Sequence, residues 1–358
     1  MSDREEILRA ADPSLADAGR SAMRVCLDVQ PQDVVTIVTE ENGRAVAASM
    51  LSAAAETAPT IHAFVLERHG KRPLQSFPRE ILNALESSTV TVLVVTPLAG
   101  ELKARLTLLE IVARKSLRHA HLIAVSADAF RTGMRADYRA VDALQDRVLA
   151  ALSTASHVRV TSPGGTALDV TLEPTFHWVK SNGLIRPGKW QNLPSGQIYT
   201  CPGSFDGVYV ADKSIGDWFQ SKYPELEHYP VTLEFAAGRL RDVRSPNATL
   251  ARELFLFVRS NENGDRAGEF GIGTNPWAEF LPAQPTLDEN VPGVHLALGD
   301  PFGAETGASW TSKTRVSVIG TRMSLHVDGK PLLDNGGYVP EILGDLPMPK
   351  CPSVGPAR

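Results

Sequence analysis

Between about residues 33 and 126, short runs of β-branched residues alternate with longer stretches whose apolar positions recur every three to four residues. "DVVTIVTE" precedes the Ala-rich pattern "GRAVAASMLSAAAETA", "TIHAFVLE" precedes "PREILNALESS", and "TVTVLVVTP" precedes "ELKARLTLLEIVARKS". "AHLIAVS" is followed further on by "YRAVDALQDRVLAALSTA". Wholly apolar strands alternating with amphipathic helices predict a parallel sheet covered on both faces, so residues 1–155 are expected to form a doubly wound α/β domain. A nucleotide site there would need a glycine-rich turn after the first strand. The turn reads "TEENGRAVAA", with one glycine and two glutamates, so the domain is expected to be scaffold.

Beyond residue 155 the period changes to short strands separated by Gly and Pro turns, as in "HVRVTSPGGTALDVTLEP", "PVTLEFAAGRLRDVRS" and "TRVSVIGTRMSLHVDGKPLL". One helix pattern, "ATLARELFLFVRSN", interrupts them. This predicts an antiparallel-rich α+β domain over residues 156–345, followed by a Pro-rich flexible tail over 346–358.

Composition narrows the function classes. The chain of 358 residues is 43% apolar and 22% charged with a net charge of −5, which predicts a globular protein without the basic patch that nucleic acid requires. The N-terminal segment mixes acidic and basic residues and has no apolar core, and no apolar run approaches the ~18 residues of a membrane span. Cys26, Cys201 and Cys351 are widely spaced and odd in number, so a disulfide framework is not expected. A cytoplasmic protein acting on a small molecule fits these features.

Four places could carry chemistry. In "SLHVDG", His326 and Asp328 are two apart on a predicted strand and would project together, as metal ligands or as a polar edge before a "DG" turn. In "PGVHLALGDP", His295 shares a strand face with Ala297 and Gly299, small neighbours that leave space for an ion or substrate; otherwise it is a hydrogen-bonded core histidine. In "AGEFGIGTNP", Glu269 sits in a glycine-rich apolar segment, a costly place for a carboxylate without a cation, unless it stabilises a turn. The loop "LIRPGKWQNLPSGQIYTCP" offers Trp190 and Gln197, or is only structural. Two histidines and two carboxylates in one domain suit Zn, Mn, Co or Fe(II), and two histidines with one carboxylate would match a facial triad.

The segments "WQNLPSGQIYTCP", "AGEFGIGTNP", "DENVPGVHLALGD" and "SLHVDG", in that order, resemble the signatures of the thermophilic aminopeptidase T family and its leucyl aminopeptidase relatives, over about residues 180–330. The resemblance implies a dimeric two-metal aminopeptidase with Glu269, His295, His326 and Asp328 at ligand positions and Glu269 bridging. Two positions depart from it: Gln197 stands where the family's "NLPxGE" has a ligand glutamate, and Phe302 where it has a tyrosine. An amide is a poor ligand for a divalent ion, so one ion rather than two is expected.

The expectation is therefore a single-metal hydrolase of an amide or peptide-like small molecule, with Glu269 as ligand and base, His295 as ligand or hydrogen-bonding group, and Gln197 orienting substrate. The 2,5-dihydroxypyridine 5,6-dioxygenases are similar to the same scaffold and use one Fe(II). In that family the Glu269 position is a histidine, and the His295 position is not a ligand. A ring-opening dioxygenase is the alternative. Trp190, Phe302 and His177 are candidate pocket residues, His177 being equally an exposed strand-end histidine.

Overall fold

Val34–Thr39 and Val90–Val95 are the most continuously apolar strands, and they lie beside each other in the middle of a five-stranded parallel sheet. Thr60–Val65 flanks them on one side; Arg118–Ile123 and then Lys189–Asn192 follow on the other. Helices Arg44–Ala55, Arg79–Ser87 and Leu102–Lys115 form where the 3.6-residue period predicts them. The computed structural model describes residues 1–280, 285–347 and 349, and by contact the chain divides into two compact units.

The first unit contains Met1–Tyr138 and Gly183–Ser195, the second Arg139–Asn182 and Gly196 onward. The division departs from the boundary expected at residue 155. Most of helix Tyr138–Leu152 packs its Leu144, Val148 and Leu152 into the second unit's core, and a later segment returns to give the parallel sheet its fifth strand. Nearly all of the expected tail, and Cys351 with it, lies outside the described residues.

The order in which strands are added to the sheet reverses between Val34–Thr39 and Val90–Val95, and at the C-terminal end of such a switch point parallel sheets open a ligand crevice. Charged side chains fill it. Arg72 bonds Glu101 through Nε at 2.8 Å and Nη2 at 2.6 Å, also donates to Glu40, and passes a bond to the Thr96 carbonyl at 2.8 Å. Glu40 accepts from Thr96 N at 2.7 Å. Arg72, Glu40 and Glu101 are each about 6% exposed, so the network is internal.

The second unit contains an eight-stranded and a six-stranded sheet. The eight-stranded sheet runs Arg239–Arg244, Val231–Ala236, Pro202–Ala211, Ala167–Leu172, His157–Thr161, Ser324–Val327, Lys330–Asp334, Gly337–Tyr338. The six-stranded sheet runs Ser214–Ile215, Arg315–Ile319, Gly293–Gly299, Ala267–Gly273, Gln197–Thr200, Val179–Ser181. Alternation puts Val158, Val160, Leu168, Val170 and Leu325 of the first sheet, and Phe270, Ile272, Val294, Leu296 and Val318 of the second, into one shared core. Helix Ala248–Arg259, capped by the Asn247 side chain accepting from Leu250 N, adds Leu250, Leu254 and Val258. Among the described residues no helix is long and apolar enough to cross a membrane.

Candidate active site

With Phe270 and Ile272 committed to the core, Glu269 and Gly271 must face the other way. The same alternation on the neighbouring strand turns His295 and Ala297 outward between Val294, Leu296 and Leu298. Register then sets them together: Gly271 pairs with His295, and Glu269 with Ala297. Gly271 is required here, because a Cβ on it would lie 1.9 Å from His295 Nε2. The small residues around His295 therefore make room for its own ring and for Glu269.

His295 Nε2 stands 3.4 Å from Glu269 Oε1, and Arg315 Nη2 stands 3.1 Å from Glu269 Oε2. Glu269 is 1% exposed and His295 2%. Burial alone would push the Glu269 carboxyl up; Arg315, then His295, outweigh it and hold the group below the usual carboxylate range. Burial likewise opposes the charge on Arg315, and Glu269 and Glu289 override it, keeping the guanidinium protonated. Both Glu269 oxygens, His295 Nε2, Arg315 Nη1 and Gln197 Oε1 are sealed from solvent without a hydrogen-bond partner. Five such atoms on one sheet face mark a place built for a ligand that is polar.

Gln197 and Tyr199 join this face from the adjoining strand, where Gly271 pairs with Tyr199 and Gly273 with Gln197. Gln197 Nε2 donates to Glu289 Oε2 at 3.2 Å. Phe302, in a left-handed conformation (φ 51°), lies with its ring 4.2 Å from the Arg315 guanidinium carbon and 5.8 Å from the Tyr199 ring. Burial pushes the Tyr199 hydroxyl well up, so it stays protonated.

The other expected site residues lie elsewhere. Leu325 and Val327 enter the shared core, so half-buried His326 faces away from it on the eight-stranded sheet, opposite Arg159. The strand ends at Val327, and Asp328 and Gly329 (φ 47° and 80°) form the hairpin turn to Lys330–Asp334, so strand alternation does not align Asp328 with His326. Glu269 and His295 face away from that core on the six-stranded sheet. The expected four-residue ligand set is therefore not gathered within one chain. Among the described residues no three His, Cys, Asp or Glu side chains are grouped to hold an ion. Trp190 is corrected to the first unit, on the edge strand Lys189–Asn192 beside His121, because its segment returns to the parallel sheet. His177 is exposed, next to Gly307, its N–H bonded to the Thr306 carbonyl.

Glu269 and His295 offer buried carboxylate and imidazole donors, which is the donor chemistry a Zn, Mn, Co or Fe(II) ion accepts, although they face each other at 3.4 Å. Arg315 already supplies positive charge to Glu269 Oε2, and Gln197 is engaged with Glu289. Glu269 and His295 thus provide two donors of that kind on this face, and among the described residues no third His, Cys, Asp or Glu joins them.

Sequence reasoning passed over Tyr199, Glu289 and Arg315. Tyr199 was findable, since it shares a strand face with Gln197 two residues earlier. Glu289 lies in "DENVPG" and carries no pattern of its own; Arg315 opens an ordinary strand and reaches Glu269 only through sheet order.

A sequence model of NicX, the 2,5-dihydroxypyridine 5,6-dioxygenases, matches residues 14–291, ending just before the strand that carries His295. No curated protein matches the chain. Among solved structures, 2,5-dihydroxypyridine dioxygenase from Pseudomonas putida KT2440 is similar with a TM-score of 0.64 at 16% identity, over 95% of this chain and 98% of that one. AmpT from Thermus thermophilus is similar with a TM-score of 0.63 at 16% identity, over 91% and 99%. At that identity both likenesses speak to the fold.

Proposed function

Because the chain belongs to the 2,5-dihydroxypyridine 5,6-dioxygenase family, we propose that it is a metal-dependent enzyme of the mononuclear kind, opening a hydroxylated heteroaromatic ring with oxygen. The observation that carries one metal is Gln197: its amide bonds Glu289 in place of the carboxylate a second ion would need, while Arg315 occupies the far oxygen of Glu269.

Glu269 and His295 would hold the ion. Iron(II), when bound, would supply the redox chemistry between ring and oxygen that side chains cannot. Phe302 and Tyr199 give a planar ring an aromatic wall, and Arg315 sets its polar edge. His326, facing away from the shared core on the other sheet, and Asp328, in the turn beyond it, would reach such an ion only from a second copy of the chain. The homodimer implied by the sequence resemblance is the assembly in which two histidines and their carboxylates could meet.

Oxygen uptake tests the reading. Iron(II)-loaded protein given 2,5-dihydroxypyridine should consume oxygen in step with loss of the ring absorbance, and strict anaerobiosis should stop both. The second reading, hydrolysis of an amide bond in a small molecule, is favoured by one feature: position 269 is a carboxylate, the residue the aminopeptidase resemblance implies. Hydrolysis of amino-acid amides unchanged without oxygen would select it.

A further inference from the structure

We propose that the outer face of helix Leu102–Lys115 docks antiparallel on the same helix of a second copy of the chain, through a leucine seam flanked by reciprocal ion pairs. The inference concerns the first unit alone and does not rest on the reading of the catalytic site.

A surface helix needs one apolar stripe, and this one has two. Ala104, Leu108, Ile111 and Val112 enter the first unit's core. On another side, Leu102, Leu106, Leu109 and Ala113 recur at spacings of four, three and four. Leu102 is 58% exposed and Leu106 49%, Leu109 is half-buried, Ala113 is exposed, and just before the helix Leu98 adds a further exposed leucine. That spacing is the a/d repeat of a seam between two helices.

Leucines alone would accept many apolar partners, so the charges decide. Lys103 and Glu110 are exposed and, seven residues apart, occupy the same flank of the stripe. Arg114 on that flank is paired with Glu86, whereas among the described residues Lys103 and Glu110 have no ion-pair partner. A two-fold axis between antiparallel helices keeps the same flank of each on the same side of the seam. Setting Leu106 against the partner's Leu109, and Leu102 against the partner's Ala113, brings Lys103 to the partner's Glu110 and Glu110 to the partner's Lys103. One register thus satisfies the seam and both charges, a reciprocity that a second copy supplies by symmetry. A lipid surface would instead reward cations along the flank without an intervening carboxylate. Antiparallel packing also sets the two helix dipoles in opposition.

Sedimentation equilibrium of the full-length protein over a dilution series tests the contact. The wild type should associate reversibly. Leu106→Glu, at an exposed position, should keep the helical far-ultraviolet signal and weaken association at least about tenfold. Lys103→Glu and Glu110→Lys should each weaken it by placing like charges across the seam, and the Lys103→Glu/Glu110→Lys protein should recover it. Mixed together, the two single variants should pair with each other in preference to themselves. A wild type that is monomeric at every concentration, association unchanged by Leu106→Glu, or failure of the double exchange to restore it overturns the proposal. So does a monomer that pellets with phosphatidylserine/phosphatidylcholine vesicles, which would assign the stripe to a lipid surface.

Discussion

Arg315 and Glu269 share one buried charge balance: the guanidinium lies 3.1 Å from Oε2 of a carboxylate that is 1% exposed, and Glu269 brings His295 in on its other oxygen. Removing Arg315 leaves a fully buried carboxylate with only His295 beside it, and removing Glu269 leaves Arg315, a quarter exposed, with Glu289 as its remaining acidic neighbour. Glu269→Gln should destabilise the metal-free protein by about 3 kcal/mol, and the Arg315→Met/Glu269→Gln pair by clearly less than the sum of the singles. Urea unfolding of the four proteins, read as a double-mutant cycle, measures the coupling; additive losses would show that the two charges are independent.

Gln197→Glu should raise the affinity for a divalent ion roughly tenfold, by placing a second carboxylate within reach of Glu289 where like charges require a cation. The same substitution should lower the melting temperature in chelator and raise it in excess metal. Metal content per chain is the direct reading, and an unchanged value with or without Phe302→Tyr would refute the idea that Gln197 is what holds the site to one ion.

Gly271→Ala should displace the His295 ring, since the new Cβ would lie 1.9 Å from Nε2. Overpacking of this kind costs about 1–3 kcal/mol. Metal binding should fall more than stability does, because the ring moves away from Glu269 while the strand keeps its register. Gly271→Ala with full metal affinity would mean that His295 is not a ligand.

If His326 and Asp328 act across a dimer, chains carrying Glu269→Gln and His326→Ala should complement each other. Each homodimer would be without metal, whereas the purified heterodimer keeps one intact site of two and about half the normal content. A His326→Ala homodimer with normal metal content would remove His326 from the ligand set.

Acid should weaken the first unit through Glu101. Burial opposes its charge, but Arg72 and the backbone N–H groups of Leu98 and Leu74 bring its pKa down from 4.5 to about 2. A depressed carboxyl stabilises the fold fully above its unfolded value and loses that contribution as pH falls from 4.5 towards 2. The loss should be on the order of 3 kcal/mol. Denaturant titrations between pH 2 and 6 should show this limb in the wild type and a flatter one in Glu101→Gln.

Much of the fold is legible because the periods are strong. "TVTVLVVTP" can only be a strand buried on both faces, and "ELKARLTLLEIVARKS" only an amphipathic helix. The return of Lys189–Asn192 to the parallel sheet is not legible, since a four-residue strand containing Lys, Trp, Gln and Asn has no apolar signature and its place is set by pairing with Arg118–Ile123. At the site, Glu269 and His295 are visible as polar residues out of place in apolar strands. Asp328 misleads for the opposite reason: two-residue spacing implies a shared face only while the strand continues, and the "DG" turn begins at Asp328 itself.

The crevice at the parallel sheet's switch point has become a keystone. Arg72 locks the loops after both central strands and the segment holding Glu101 into one piece. A substitution there would not uncover a dormant nucleotide pocket; it would loosen the unit at the point where its two halves meet. Relatives that trade this arginine should therefore differ first in how their first unit holds together, and not in what it binds.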